Sequence, residues 1–350
     1  MKKSTRILVL VLAVMMAIVP LFAITSDAAA YSTYTYSING QPLKSPDAYT
    51  PEKVISSADI NGLTVPLNLP KDITVDYNNR VYIADKGNNR IVVLDKYMKS
   101  VVMILDRFNN EGNATALSGP EGVFVSKATS TREGEIYVAD TGNSRIVVFN
   151  YDGTFSRVID APDSEVFDSD ARYTPIALAV DSSGRIYVVS KDTYEGLVSL
   201  NADGSFSCIV ASQKVTKNFL DALWERFQTA AQKEQNEQNL SSSFGNITID
   251  DNDMIYVTTQ NVDPGSQQGA INGKSKSGDY APVKKLNPDG DDIMRRNGFY
   301  PPSGEVRVSN ALTSSSKSAP TGPSTIVDVA LGEEGTVFGV ELLGVDGILE

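Results

Sequence analysis

The sequence predicts an all-β chain folded as a β-propeller. About five blades are visible, six are expected in the intact protein, and one amphipathic helical insertion interrupts them. Three observations predict this. Val81–Leu94 and Ile136–Phe149 carry nearly the same strand–turn–strand block. The same pattern returns further on in weaker form. Every copy consists of short β-branched and aromatic runs separated by Asp, Asn and Gly. A unit of three or four such strands, repeated, describes the blades of a propeller.

The first unit starts at Pro70 and runs through Ile73–Asp76, a polar turn, Arg80–Asp85 and Gly87–Leu94. The second starts at Pro120, with Val123–Val125, a longer turn, the repeated block and a Tyr151-Asp152-Gly153 turn. The third starts at Pro175 and contains Leu178–Asp181, Arg185–Val189, Gly196–Leu200 and Asp203-Gly204. The fourth contains Ile247–Asp250, Met254–Val257, Val283–Leu286 and Asp289-Gly290. The fifth contains Ile326–Val329 and Thr336–Val340. An aromatic recurs at one place in every unit, at Tyr82, Tyr137, Tyr187, Tyr256 and Phe338. Its expected role is packing between blades. The spacing of these aromatics exceeds the ~40–45 residues of a typical blade, so the chain carries insertions.

The best-matched piece is Asp-x-Gly-Asn-x-Arg-Ile, formed by Asp85, Gly87, Asn88 and Arg90, and again by Asp140, Gly142, Asn143 and Arg145. Here the acid ends a strand and can accept hydrogen bonds from turn amides. The glycine, or the asparagine after it, is expected to take the left-handed backbone of a tight hairpin. The arginine can pair back across the turn. These residues are expected to be mainly structural.

The pattern resembles the NHL-repeat family of six-bladed β-propellers, a superfamily shared with sugar lactonases. The resemblance runs from about Pro70 onward and is strongest in the first two units. The third and fourth depart from it, with Ser190-Lys-Asp-Thr and Thr258-Thr-Gln at the motif position. Within this superfamily the antibiotic-cleaving and peptide-amidating lyases depend on His. This chain has no His, which removes them together with His triads and His zinc sites. The enzyme class left is the lactonase type, which holds one divalent cation in the channel with Glu, Asn and Asp. Oxygen ligands of that kind suit Ca²⁺, and a carboxylate can act as base. The candidates are Asp72, Glu121, Asn246 and Asp328, all near the starts of inner strands.

The chain has 350 residues and a net charge of −12, so no groove for nucleic acid is expected. Residues 1–30 are expected to be a signal peptide: Lys2, Lys3 and Arg6 precede an uncharged run from Ile7 to Ala23, and Ala28–Ala30 offers small residues for cleavage. The alternative is an uncleaved helix that associates the chain with a membrane. Cys208 is the single cysteine, so no intramolecular disulfide forms, and a secreted chain without disulfides fits a bacterial origin. Residues 31–69 form an N-terminal segment and a candidate closing strand. Residues 70–350 form the propeller, with a helical insert at 214–240 and flexible loops at 261–281 and 309–320.

In the insert, Phe219, Leu223, Trp224 and Phe227 recur at helical spacing and form a candidate partner-docking face. The function expected from these readings is non-catalytic, extracytoplasmic binding of a protein or carbohydrate, with no cofactor. The alternative is a Ca²⁺-dependent, lactonase-like hydrolase.

Overall fold

The computed structural model describes residues 34–36, 42–44, 54–129, 133–162, 173–191, 196–211, 244–259, 283–294, 326–332 and 335–341. Residues 1–54 and 55–350 form two separate units. In the first, β1 (Tyr34–Tyr36) pairs antiparallel with β2 (Pro42–Lys44).

The second unit is an all-β propeller. Its first blade is the antiparallel meander β3 (Pro70–Val75), β4 (Val81–Asp85), β5 (Arg90–Leu94) and β6 (Val101–Leu105). A separate hairpin follows, β7 (Arg107–Asn110) with β8 (Asn113–Ala116). The second blade is β9 (Gly122–Val125), β10 (Glu135–Asp140), β11 (Arg145–Asn150) and β12 (Phe155–Ile159). The third is β13 (Pro175–Val180), β14 (Ile186–Ser190), β15 (Leu197–Leu200) and β16 (Phe206–Val210). The fourth has three strands, β17 (Phe244–Ile249), β18 (Ile255–Thr259) and β19 (Val283–Leu286). The fifth sequence unit gives a two-stranded sheet, β20 (Ile326–Leu331) with β21 (Val337–Glu341). The described residues therefore hold four blades, rather than the five or six expected from the repeat. The predicted helix at 214–240, with Phe219, Leu223, Trp224 and Phe227, lies outside the described residues. So do the predicted leader and the loops at 261–281 and 309–320.

The first strands of successive units, β3, β9, β13, β17 and β20, lie side by side in that order and line the inside of the ring. The middle strands are buried on both faces, which explains their unbroken apolar runs. Tyr82, Ala84, Ile91 and Val93 of the first blade pack against Val123, Val125, Ile136 and Val138 of the second. The next junction repeats this with Tyr137, Ala139, Ile146 and Val148 against Leu178, Val180, Ile186 and Val188. Each fully buried aliphatic side chain of this kind contributes ~1.5–3 kcal/mol.

The recurring tyrosines also carry a polar task. Tyr82 donates to Asp76 (3.0 Å), Tyr187 to Asp181 (3.3 Å) and Tyr256 to Asp250 (3.2 Å). Each of these aspartates ends an inner strand and holds the next turn through its other oxygen, which accepts Arg80 N–H, Arg185 N–H and Met254 N–H respectively. The second unit has Ser126 at the equivalent place, and there Tyr137 donates to Glu135 instead (2.7 Å).

One face of the first blade is covered differently from the others. Ile60 and Leu63 pack on Val81, Ile83, Val92 and Leu94, and Asn61 makes a single parallel bridge to Ser100. Ile73 and Val75 on the same sheet face stay 55 % and 57 % exposed, whereas Val123 and Val125 at the equivalent positions of the second blade are 3 % and 8 % exposed.

Candidate functional site

The repeated turn is a staple between a blade and the segment that enters it. Asp85 Oδ1 accepts Asn68 N–H at 2.7 Å, and its Oδ2 accepts Arg90 Nε at 2.7 Å and Asn88 Nδ2 at 2.8 Å. Arg90 Nη2 and Asn88 Nδ2 reach on to the carbonyls of Val65 and Pro66. In the second blade Asp140 accepts Ser118 N–H, Asn143 and Arg145 in the same way, and Asn143 and Arg145 both bond Ala116 O.

The left-handed residue of each turn is Asn89 (φ 54°) and Ser144 (φ 53°). This corrects the assignment of that role to Gly87 and Gly142 or the asparagine after each. The glycines serve close approach instead: a Cβ on Gly87 would lie 2.7 Å from Asn68 O, and one on Gly142 would lie 2.6 Å from Ser118 O. In the third blade Ser190 Oγ accepts Thr174 N–H (3.0 Å), a hydroxyl in the role of the aspartate.

The strand order gives the propeller two unlike faces. On the upper face the inner strands begin, and the staples lie there. The segments longer than a turn that separate β14 from β15, β16 from β17 and β18 from β19 start and end on this face. Among the described residues the lower face is built of short turns, the Ser126–Glu135 connection excepted.

Three of the four metal-ligand candidates meet near the upper ends of the inner strands. Asp72, Asn246 and Asp328 each sit at a register shift of β3, β17 or β20. Each turns its Oδ1 back onto the next amide, Ile73, Ile247 or Val329, at 2.7–2.8 Å. From there Asn246 Nδ2 donates to Asp328 Oδ1 at 2.6 Å, and the Asn246 side chain favours the charged form of Asp72. Asp72 Oδ2 accepts Val123 N–H of the second blade at 2.8 Å. Burial, opposed by the Val123 amide and reinforced by the charge of Asp328, pushes the Asp72 carboxyl up to about 6. Burial also raises Asp328.

Glu121, the fourth candidate, is bonded by Lys86 Nζ at 2.6 Å and joins none of the three.

As arranged, the set is bonded internally: Asn246 directs its N–H₂ at Asp328 and has one of its two oxygen lone pairs on Ile247 N–H. Among the described residues no group of three or more His, Cys, Asp or Glu could hold a metal ion. The arrangement is instead suited to exchanging hydrogen bonds with hydroxyl or amide groups, which donate and accept at once.

Sequence reasoning missed two features. Lys127 of the second blade pairs with Asp251 of the fourth across the lower face. Tyr77 stacks on Tyr151, with ring centroids 5.2 Å apart. Neither follows the repeat, so the repeat gave no signal for them.

The NHL repeat model matches residues 67–94 and 117–149, the two units with the full staple motif. No curated protein matches the chain. Among solved structures, a streptogramin B lyase is 14 % identical, with 79 % of this chain aligned to 64 % of that one and a TM-score of 0.41. A gluconolactonase from Xanthomonas campestris is also 14 % identical, with 65 % of this chain aligned to 61 % of that one and a TM-score of 0.35. A protein of unknown function from Bacteroides caccae is 9 % identical, with 80 % of this chain aligned to 74 % of that one and a TM-score of 0.44. This chain thus spans less than two thirds of the lyase and of the gluconolactonase, and at this similarity neither activity carries over.

Proposed function

We propose that this chain is a non-catalytic, extracytoplasmic binding propeller whose ligand enters at the upper mouth of the central channel. The observation that supports this most is the convergence of Asp72, Asn246 and Asp328 on the face that also carries the longer connections. Side chains from three different units meet there with donor and acceptor capacity turned towards one another. Ligand sites in ring-shaped folds lie where such polar groups converge inside a rigid frame. The frame here is supplied by the staples and by the apolar blade junctions, whose cores do not include the three residues.

The test is a thermal melt of residues 31–350 with excess Ca²⁺ and with a chelator, beside a binding screen against oligosaccharides and peptides. A native-state ligand at a hundredfold excess over its Kd adds about 2.7 kcal/mol of stability. Unchanged melting with Ca²⁺, and binding that is lost in Asp72→Asn and Asn246→Ala, is the expected result. A saturable Ca²⁺ shift would overturn it in favour of the lactonase-like reading. The specific support for that second reading is that two carboxylates and an amide do share one site.

A further inference from the structure

We infer that the lower face carries a separate stacking platform, Tyr77 on Tyr151, which takes the ring of a neutral carbohydrate. The site shares no residue with the upper mouth.

The platform is built from below. Tyr151 has its hydroxyl bonded to Asp76 at 2.6 Å and accepts Asn78 Nδ2 at 2.9 Å. The Arg80 guanidinium lies over its ring, 4.9 Å from the centroid. Tyr77 stacks on Tyr151 with the planes 23° apart. Its edge rests over Gly134, where a Cβ would come within 3.4 Å of the Tyr77 ring and hydroxyl. Asp76, nearly fully buried, fixes the turn beneath by accepting Asn78 N–H and Arg80 N–H at 2.8 Å. One tyrosine is therefore held in place on one side and by its edge, while 44 % of it stays exposed.

The fold does not require this pair. After the inner-strand aspartate, Tyr77 is replaced by Ser182 in the third unit and Asp251 in the fourth, and Tyr151 is replaced by Ala202 and Pro288. Those turns close without an aromatic stack; Tyr151 packs on the core between the first two blades, whereas Tyr77 stays 44 % exposed and is not explained by that packing.

The surroundings select the ligand class. A rigid, flat, apolar surface favours the C–H face of a pyranose. The exposed amides of Asn78 and Asn79 beside it can donate to and accept from sugar hydroxyls. The chain's charge of −12 disfavours a polyanion, and the Arg80 cation under the stack disfavours a cationic ligand. A neutral, hydroxyl-rich ring satisfies both limits.

The test is a binding titration of the full chain against neutral cello-, chito- and manno-oligosaccharides, with the Tyr77→Ala, Tyr77→Trp, Asn79→Gly and Asp72→Asn variants in parallel. The expected result is binding of at least one of these glycans. Tyr77→Ala should lower the affinity at least tenfold with the melting cooperative, and Tyr77→Trp should retain binding. Asn79→Gly removes the side chain while keeping the left-handed backbone of that turn (φ 62° at Asn79); it should weaken binding as well, which separates loss of contact from loss of fold. Absence of binding to every glycan at millimolar concentration, or wild-type affinity in Tyr77→Ala, would overturn the inference. Loss in Asp72→Asn with retention in Tyr77→Ala would assign the glycan to the upper mouth and overturn only this site.

Discussion

Asp85 and Asp72 belong to the same blade, sit near the same face and have opposite surroundings. Asp85 is fully buried and has a guanidinium, an amide and a backbone N–H on its two oxygens. Asp72 is half-buried, faces a second carboxylate and has only neutral donors, so its carboxyl is raised to about 6. The difference teaches which acid holds the fold and which does not. A carboxylate matched by a fixed cation is a strut. One half-buried beside another acid has its charged form disfavoured, and its carboxyl rises.

The comparison breaks most easily at the strut. Asp85→Ala leaves Arg90 with a side chain only 8 % exposed and unpaired, which is expected to cost about 3–5 kcal/mol. Asp140→Ala should cost less, since Arg145 is 16 % exposed and reaches water more easily. Urea unfolding of both variants checks the order, and a loss in Asp85→Ala below about 1 kcal/mol would sink the staple assignment.

Gly87→Ala comes next. Its new methyl would lie 2.5 Å from the Asn68 side chain and 2.7 Å from Asn68 O. Overpacking of this kind costs about 1–3 kcal/mol, seen as a lower urea midpoint with an unchanged slope.

The channel acid gives a pH signature of the opposite sign to an ordinary paired carboxylate. Its native carboxyl titrates near 6 against 3.8 when unperturbed, so the native state holds the proton more tightly than the unfolded chain. Its contribution is fully present below pH 3.8 and is lost as pH rises towards 6. Melting temperatures should therefore fall across that interval, and Asp72→Asn should flatten that part of the profile. A profile identical in wild type and variant would show that Asp72 is not perturbed.

The smallest effect is expected for Lys86→Ala. Lys86 and Glu121 pair at 2.6 Å but are 36 % and 23 % exposed, and such pairs contribute about 0–1 kcal/mol. A larger loss would mean that Glu121 belongs with the channel acids rather than with the turns.

The repeat itself was legible because its signals are local. The Asp85–Arg90 and Asp140–Arg145 pairs lie five residues apart within one turn, and the turn aspartates of the inner strands lie six residues from Tyr82, Tyr187 and Tyr256. The left-handed turn residue was misplaced on Gly87 because glycine has two uses. The close approach of Asn68 O that claims this one comes from a segment outside the turn.

Asp72, Asn246, Asp328 and Glu121 looked alike in sequence, as polar residues near strand starts. Three converge because their strands shift register at those positions and turn the side chains to one place. The fourth is claimed by Lys86, across a blade junction that no short-range pattern encodes. The sequence by itself determined the strands, the order of the repeats and the acid–arginine pairs of the turns, since side-chain alternation and turn chemistry act between near neighbours; the backbone donors on those acids, Asn68 and Ser118 rather than turn amides, come from the entering segment. Only the tertiary structure decided which acids share the channel and which aromatics stack on the lower face. Those contacts depend on the placement of whole blades, which is set by packing summed over the ring.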